Sequence, residues 1–160
     1  MPPTAHRERV ISGLAHITGG SLKANQNVDP QYADERLRRA RIAIGTARDA
    51  IRGVASRTSG PVVVLYFSEG YAEQAVTVDL AELAADAYRA NAVIHTFEPR
   101  GLVFDSAPVP NARVESAWES YYRDTHESLR GLAESTGGLM ISTRGEFIDA
   151  LPHIARTVNQ

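Results

Sequence analysis

Two carboxylates stand just past apolar runs, where an open α/β sheet gathers its functional groups: Glu69 after VVVLYF (62–67) and Glu98 after AVIHTF (92–97). Acids on neighbouring strand ends suit acid–base chemistry when burial raises the pKa of one of them. Glu98 precedes Pro99 in a turn, however, and that setting points to an exposed carboxylate. Ser68 sets a hydroxyl beside Glu69 at the same strand end. Taken alone, Glu69 reads as a solvated carboxylate at a strand terminus. His6, His16, His95, His126 and His153 show no metal-ligand spacing. No Gly-x-Ser-x-Gly elbow presents a serine nucleophile, and no glycine-rich loop follows a strand to cradle phosphates. A small hydrolase or transferase built on Glu69 and Glu98 therefore stands as the alternative to a non-enzymatic chain.

The elements that must position these residues follow from apolar periodicity. Residues 5–17 read as a short amphipathic helix with Val10, Leu14 and Ile17 on one side, and Gly19-Gly20 stops it. Residues 21–30 are polar and turn-rich. A long helix over 31–57 carries Leu37, Ala40, Ile44, Ala47, Ile51 and Val54 at alternating spacings of three and four. Its other faces hold seven arginines, from Arg36 to Arg57. Without interleaved aromatics they read as a solvated face, balanced in part by Asp34, Glu35 and Asp49, and not as a nucleic-acid surface.

Three short apolar runs near 61–67, 92–97 and 139–143 read as strands, separated by helices at 78–90 and 114–135 and followed by one at 146–158. The third helix aligns Trp118, Tyr122, Thr125, Leu129 and Leu132, a stripe that suits core packing better than a ligand platform. Residues 98–113 form a proline-rich loop of the kind that often carries function. GLAHITGG (13–20) and GLAESTGG (131–138) share helix-ending chemistry without marking a duplicated unit. Strands alternating with helices imply a mainly parallel sheet in a Rossmann-like three-layer α/β sandwich, here a single domain over 1–160.

Bulk properties narrow the field further. The chain has 160 residues, 43% of them hydrophobic, a formal net charge of −2 and no cysteine. Neither nucleic acid nor an anionic membrane is favoured as a partner, and disulfides and thiolate metal sites are excluded. No apolar run is long enough to span a bilayer, and the first residues do not read as a signal peptide. The compartment stays open.

One feature of the pattern is anomalous. A strand as apolar as 62–67 normally lies mid-sheet, covered on both faces and flanked on both edges. Here it is the first strand, and nothing before residue 58 reads as another. Either another chain pairs along its outer edge, giving a homo-oligomer or a complex with a partner protein, or further sequence upstream completes the sheet. The long helix and the N-terminal helix covering that edge is the third option.

PVVVLYFSEGY (61–71) resembles the fourth strand and following loop of von Willebrand factor type A domains, in particular the bacterial branch related to Acidobacterial proteins. RANAVIHTFEPRGL (89–102) and SLRGLAESTGGLM (128–140) are similar to later segments of that branch, and RERVISGLAHITGG (7–20) to its helix after the third strand. The resemblance implies a sheet in the order 3-2-1-4-5-6, of which this chain holds strands 4, 5 and 6 and lacks the N-terminal half. It also implies partner binding through a divalent metal such as Mg²⁺ or Mn²⁺. The family's Asp-x-Ser-x-Ser ligand motif is absent, and Glu69 stands where an aspartate is usual, so the resemblance implies an incomplete or degenerate metal site at Glu69, to which Ser68 and Glu98 could add oxygen ligands. The expectation is a non-enzymatic interaction module whose contact surface comprises Ser68, Glu69, Gly70, Tyr71, Glu98 and Arg100. A gene fragment without independent function is the remaining alternative.

Overall fold

The computed structural model describes residues 29–58, 60–100 and 112–158. The expected helix at 5–17, the first Thr-Gly-Gly stop and most of the 98–113 loop lie outside these residues.

The long helix starts from a single 3₁₀ turn, Pro30–Tyr32, which Asp29 caps by accepting the Gln31 amide at 3.0 Å. Helix α1 then runs Ala33–Ala55 and turns Ala40, Ile44 and Ile51 inward. Strand β1 is Val62–Phe67. A second 3₁₀ turn, Gln74–Val76, leads into α2, Thr77–Arg89. Asn91 takes a left-handed φ of 49° and turns the chain into β2, Ala92–Phe97. Helix α3 spans Ala112–Ser135, β3 Met140–Ile141 and α4 Arg144–Val158.

The strands form one parallel sheet in the order β1-β2-β3, with Val62 opposite Ala92 and Phe97 opposite Ile141. The α/β, Rossmann-like arrangement expected from the alternating pattern is the one observed. On one face, Val62, Val64, Tyr66, Ala92 and Ile94 pack against Ile44, Ile51, Leu83, Ala87 and Leu132. On the other face, Val63, Phe97 and Ile141 meet Phe147, Ala150 and Ile154 of α4. Three layers result, with helices α1, α2 and α3 on one side of the sheet and α4 on the other.

Two details of chain direction show local chemistry at work. Helix α3 ends in a Schellman motif: the Gly138 amide donates to the Ala133 carbonyl at 2.8 Å and the Gly137 amide to Glu134 at 3.1 Å, with Gly137 at φ 75°. The Thr136 hydroxyl of the same Thr-Gly-Gly accepts the Ile94 amide at 3.0 Å, which ties the helix end to β2. A Cβ on Gly138 would lie 1.9 Å from the Ile94 carbonyl oxygen, so only glycine fits.

Strand β3 is shorter than the expected 139–143 because its flanking amides bond elsewhere. The Leu139 amide donates to His95 Nδ1 at 3.1 Å, and the Ser142 and Thr143 amides donate to the Glu146 carboxylate at 2.8 and 3.1 Å. The Glu146 amide donates back to Thr143 Oγ1 at 3.2 Å, completing a capping box that starts α4 two residues before the expected position. These amide contacts hold the Glu146 carboxyl below its ordinary value.

The arginines of α1 are not simply a solvated face. Arg48 Nε and Arg52 Nη2 reach Asp86 Oδ2 on α2 at 2.7 and 2.8 Å, Arg89 holds the other oxygen, and Arg48 also contacts Glu82. Arg41 pairs with Asp79 at 3.4 Å and Arg36 with Glu73 at 2.5 Å, while Arg38 and Arg39 both pair with Glu35. Asp86 is buried, and the Arg48 hydrogen bond leads the three arginine contacts that keep its carboxyl well below the usual range. The basic stripe of α1 is in large part a clamp on α2.

Candidate functional site: the strand ends and the β1 edge

At the C-terminal ends of β1 and β2 the chain gathers a small polar cluster. Glu98 follows β2 directly, its amide donating to the Ile141 carbonyl at 2.9 Å, and the side chain goes inward. Its exposure is 0%, which corrects the expectation of a solvated turn carboxylate. Burial is tolerable because Arg100, two residues on, curls back: its amide and its Nε both donate to Glu98 Oε1, at 3.1 and 2.5 Å. Arg100 Nη2 donates to the Glu69 carbonyl at 2.8 Å and to Thr125 Oγ1 at 3.1 Å. One guanidinium thus fastens the end of β1, the end of β2 and the middle of α3 together.

Aromatic rings complete the cluster. The guanidinium lies 5.0 Å from the Tyr122 ring centre, and Tyr122 packs on His126 at 4.4 Å. His126 Nε2 sits 3.9 Å from Glu98 Oε2, beyond direct hydrogen-bond reach. Burial, aided by the charges of Arg100 and Arg130, pushes His126 below its ordinary pKa against the pull of Glu98. Arg100 Nη1 and His126 Nε2 are buried without a hydrogen-bond partner among the described residues. Burial also raises the Tyr122 hydroxyl.

Gly70 permits this convergence. It sits at φ 83°, and a Cβ there would lie 2.2 Å from the Thr125 carbonyl oxygen. The loop after β1 can touch α3 this closely only where no side chain intervenes. Ser68 Oγ accepts the Gly70 amide at 3.1 Å and so tightens the turn.

Of the residues expected at a contact surface, Ser68, Glu69, Gly70 and Arg100 meet at the strand ends and are partly exposed. Glu98 and Tyr71 are buried, and their part is to position others. The Tyr71 amide donates to Ser128 Oγ at 2.9 Å and its hydroxyl bonds to that of Tyr66, so it faces the core between β1 and α3. Burial raises both tyrosine hydroxyls. Glu98 is enclosed and bound to Arg100, whereas Glu69 stands partly exposed at the end of β1. No group of three or more His, Asp or Glu side chains among the described residues is placed to hold a metal ion. Thr125, Tyr122 and His126 were not anticipated at this place. Their i, i+3 and i+4 spacing marks one helix face, but nothing local says which strand ends that face meets.

The edge of the sheet is the second feature. The Val62 and Ser68 amides donate to Asn91 and Phe97 of β2 at 3.0 Å each. By the alternation of a strand, the backbone groups of Val63, Leu65 and Phe67 then point away from β2. No strand pairs with that side among the described residues. The expectation that β1 is covered on both faces is corrected as well. Leu65 is 44% exposed and Phe67 56%, although Phe67 stacks on Phe97 with ring centres 4.6 Å apart. The same residues present outward backbone and open apolar side chains, and Val63 is the β1 residue that joins the apolar cluster beneath α4.

Comparison with protein-family models, curated proteins and solved structures found no match to this chain. Among the described residues no helix is long and apolar enough to cross a membrane.

Proposed function

We propose that this chain is a non-enzymatic protein–protein interaction module, similar to the C-terminal part of a von Willebrand factor type A domain, that accepts a strand along the outer edge of β1. The observation carrying this reading is the coincidence at Leu65 and Phe67 of outward backbone groups with 44% and 56% exposed apolar side chains. Edge strands are ordinarily short, charged, bulged or covered, and β1 is a regular six-residue apolar strand. An added strand would satisfy its backbone and bury both side chains at once. The order β1-β2-β3 is also compatible with strands 4, 5 and 6 of the resembled domain, whose strand 1 would lie at this edge.

The second copy of the chain is the partner to test. Light scattering over a range of concentrations should find a folded dimer in which the Val63, Leu65 and Phe67 amides resist hydrogen exchange. Leu65→Pro removes only an outward amide, so it should yield a folded monomer. A wild-type folded monomer with those amides already protected would remove the proposal, since the edge would then be covered from within.

Metal-dependent binding at Glu69 and Ser68 is the finer form of this reading, and it needs ligands beyond the described residues. Calorimetry with Mg²⁺ or Mn²⁺ on wild type and Glu69→Ala tests it directly. Equal heats, or none, would dispose of the metal.

A further inference from the structure

A second surface lies away from the β1 edge. A groove of about 440 Å³ runs between the Tyr71–Val76 segment, the start of α2 and the second half of α3. That volume falls within the roughly 300–1,000 Å³ typical of ligand sites. Its floor is apolar, with Tyr71, Val76 and Leu132 buried beneath it. Its lining includes three carboxylates, Glu73, Asp124 and Glu127, and no lysine, arginine or histidine.

Charge decides what such a groove favours. Glu73 is already paired with Arg36. Asp124 and Glu127 are three residues apart on α3 and share a side of it. Neither enters an ion pair among the described residues. The start of α2 adds at most about half a positive charge, which two full carboxylates outweigh. Exposed carboxylates alone contribute little to binding. Set beside an apolar floor, they select a ligand that is cationic at one end and apolar at the other.

We propose that this groove binds a cationic peptide segment of a partner protein. An aliphatic or aromatic side chain would sit over Tyr71, Val76 and Leu132, beside an arginine or lysine that pairs with Asp124 and Glu127. The site is separate from strand addition at β1 and stands or falls independently of it.

The test is an NMR titration of the full chain with the peptide N-acetyl-Leu-Arg-Phe-amide and with its Leu-Glu-Phe counterpart. The arginine peptide should shift the amides of Thr77, Leu80, Ser128 and Gly131, and the glutamate peptide should not. The double variant Asp124→Asn/Glu127→Gln should weaken binding at least tenfold. Gly131→Leu is a second probe: a Cβ there meets nothing within 4 Å, so leucine can fill the groove without disturbing the helix. It should abolish the shifts while circular dichroism stays unchanged. Absence of localised shifts, equal response to both peptides, or undiminished binding by the double variant would overturn the proposal.

Discussion

Replacing Gly70 by alanine should damage the strand-end cluster more than any other single-methyl addition in the loop after β1. Two costs combine. An L-residue held at φ 83° loses roughly 1–2 kcal/mol relative to glycine. The new Cβ would also sit 2.2 Å from the Thr125 carbonyl oxygen and 2.7 Å from its carbon, both backbone atoms of α3 that cannot turn aside. Overpacking of that kind costs about 1–3 kcal/mol. The sum, about 2–5 kcal/mol, is a large share of the roughly 5–15 kcal/mol that holds a domain folded. With a mid-range urea slope of about 2 kcal/mol/M, the midpoint should fall by about 1–2.5 M. Gly131→Ala supplies the contrast, because that glycine is exposed within α3 and its Cβ would meet nothing. It should gain up to about 1 kcal/mol through helix propensity. Urea unfolding followed by circular dichroism measures both variants. A Gly70→Ala midpoint close to wild type, or equal losses at the two glycines, would refute the close contact between the β1 loop and α3.

Further expectations concern charge and pH. Asp86→Ala should destabilise by about 3–4 kcal/mol, the lower part of the range for breaking a buried ion pair, since Arg52 and Arg89 regain water; thermal unfolding measures it, and a change under about 1 kcal/mol would show that the clamp contributes little. Glu98→Gln should cost more than Glu69→Gln in the same assay, because only the first takes the carboxylate partner from the largely enclosed Arg100 guanidinium. Burial depresses the pKa values of His95 and His126 from 6.5, so the unfolded chain binds protons that the folded chain refuses. Stability should therefore decline as pH falls below about 6.5, and His126→Gln should flatten that decline. The depressed Glu146 carboxyl acts lower: its stabilising share is full above about 4.5 and is lost as pH falls through its folded value, and Glu146→Gln should remove that pH dependence.

How much of this was legible in the chain depends on the range of the interactions involved. Strands 62–67 and 92–97 were readable to the residue, because short runs rich in β-branched and aromatic residues between turn residues have few other conformations. The Thr-Gly-Gly helix end was readable for the same local reason. Glu98 was misjudged because its burial depends on Arg100 folding back and on Thr125 and His126 arriving from α3. The arginines of α1 were underestimated because their main partner, Asp86, lies on another helix. The Thr143–Glu146 capping box is written in the chain as a Thr-x-x-Glu pattern, and it starts α4 two residues before the apolar periodicity does. The open face of β1 was invisible locally, since it follows from how far α4 reaches across the sheet.

The central claim, that β1 accepts a strand from another polypeptide, is tested most directly by hydrogen exchange at Val63, Leu65 and Phe67 in wild type across a concentration series. Protection that grows with concentration, in step with a doubling of mass, is the predicted result. Protection that is already complete in a dilute monomer would contradict it.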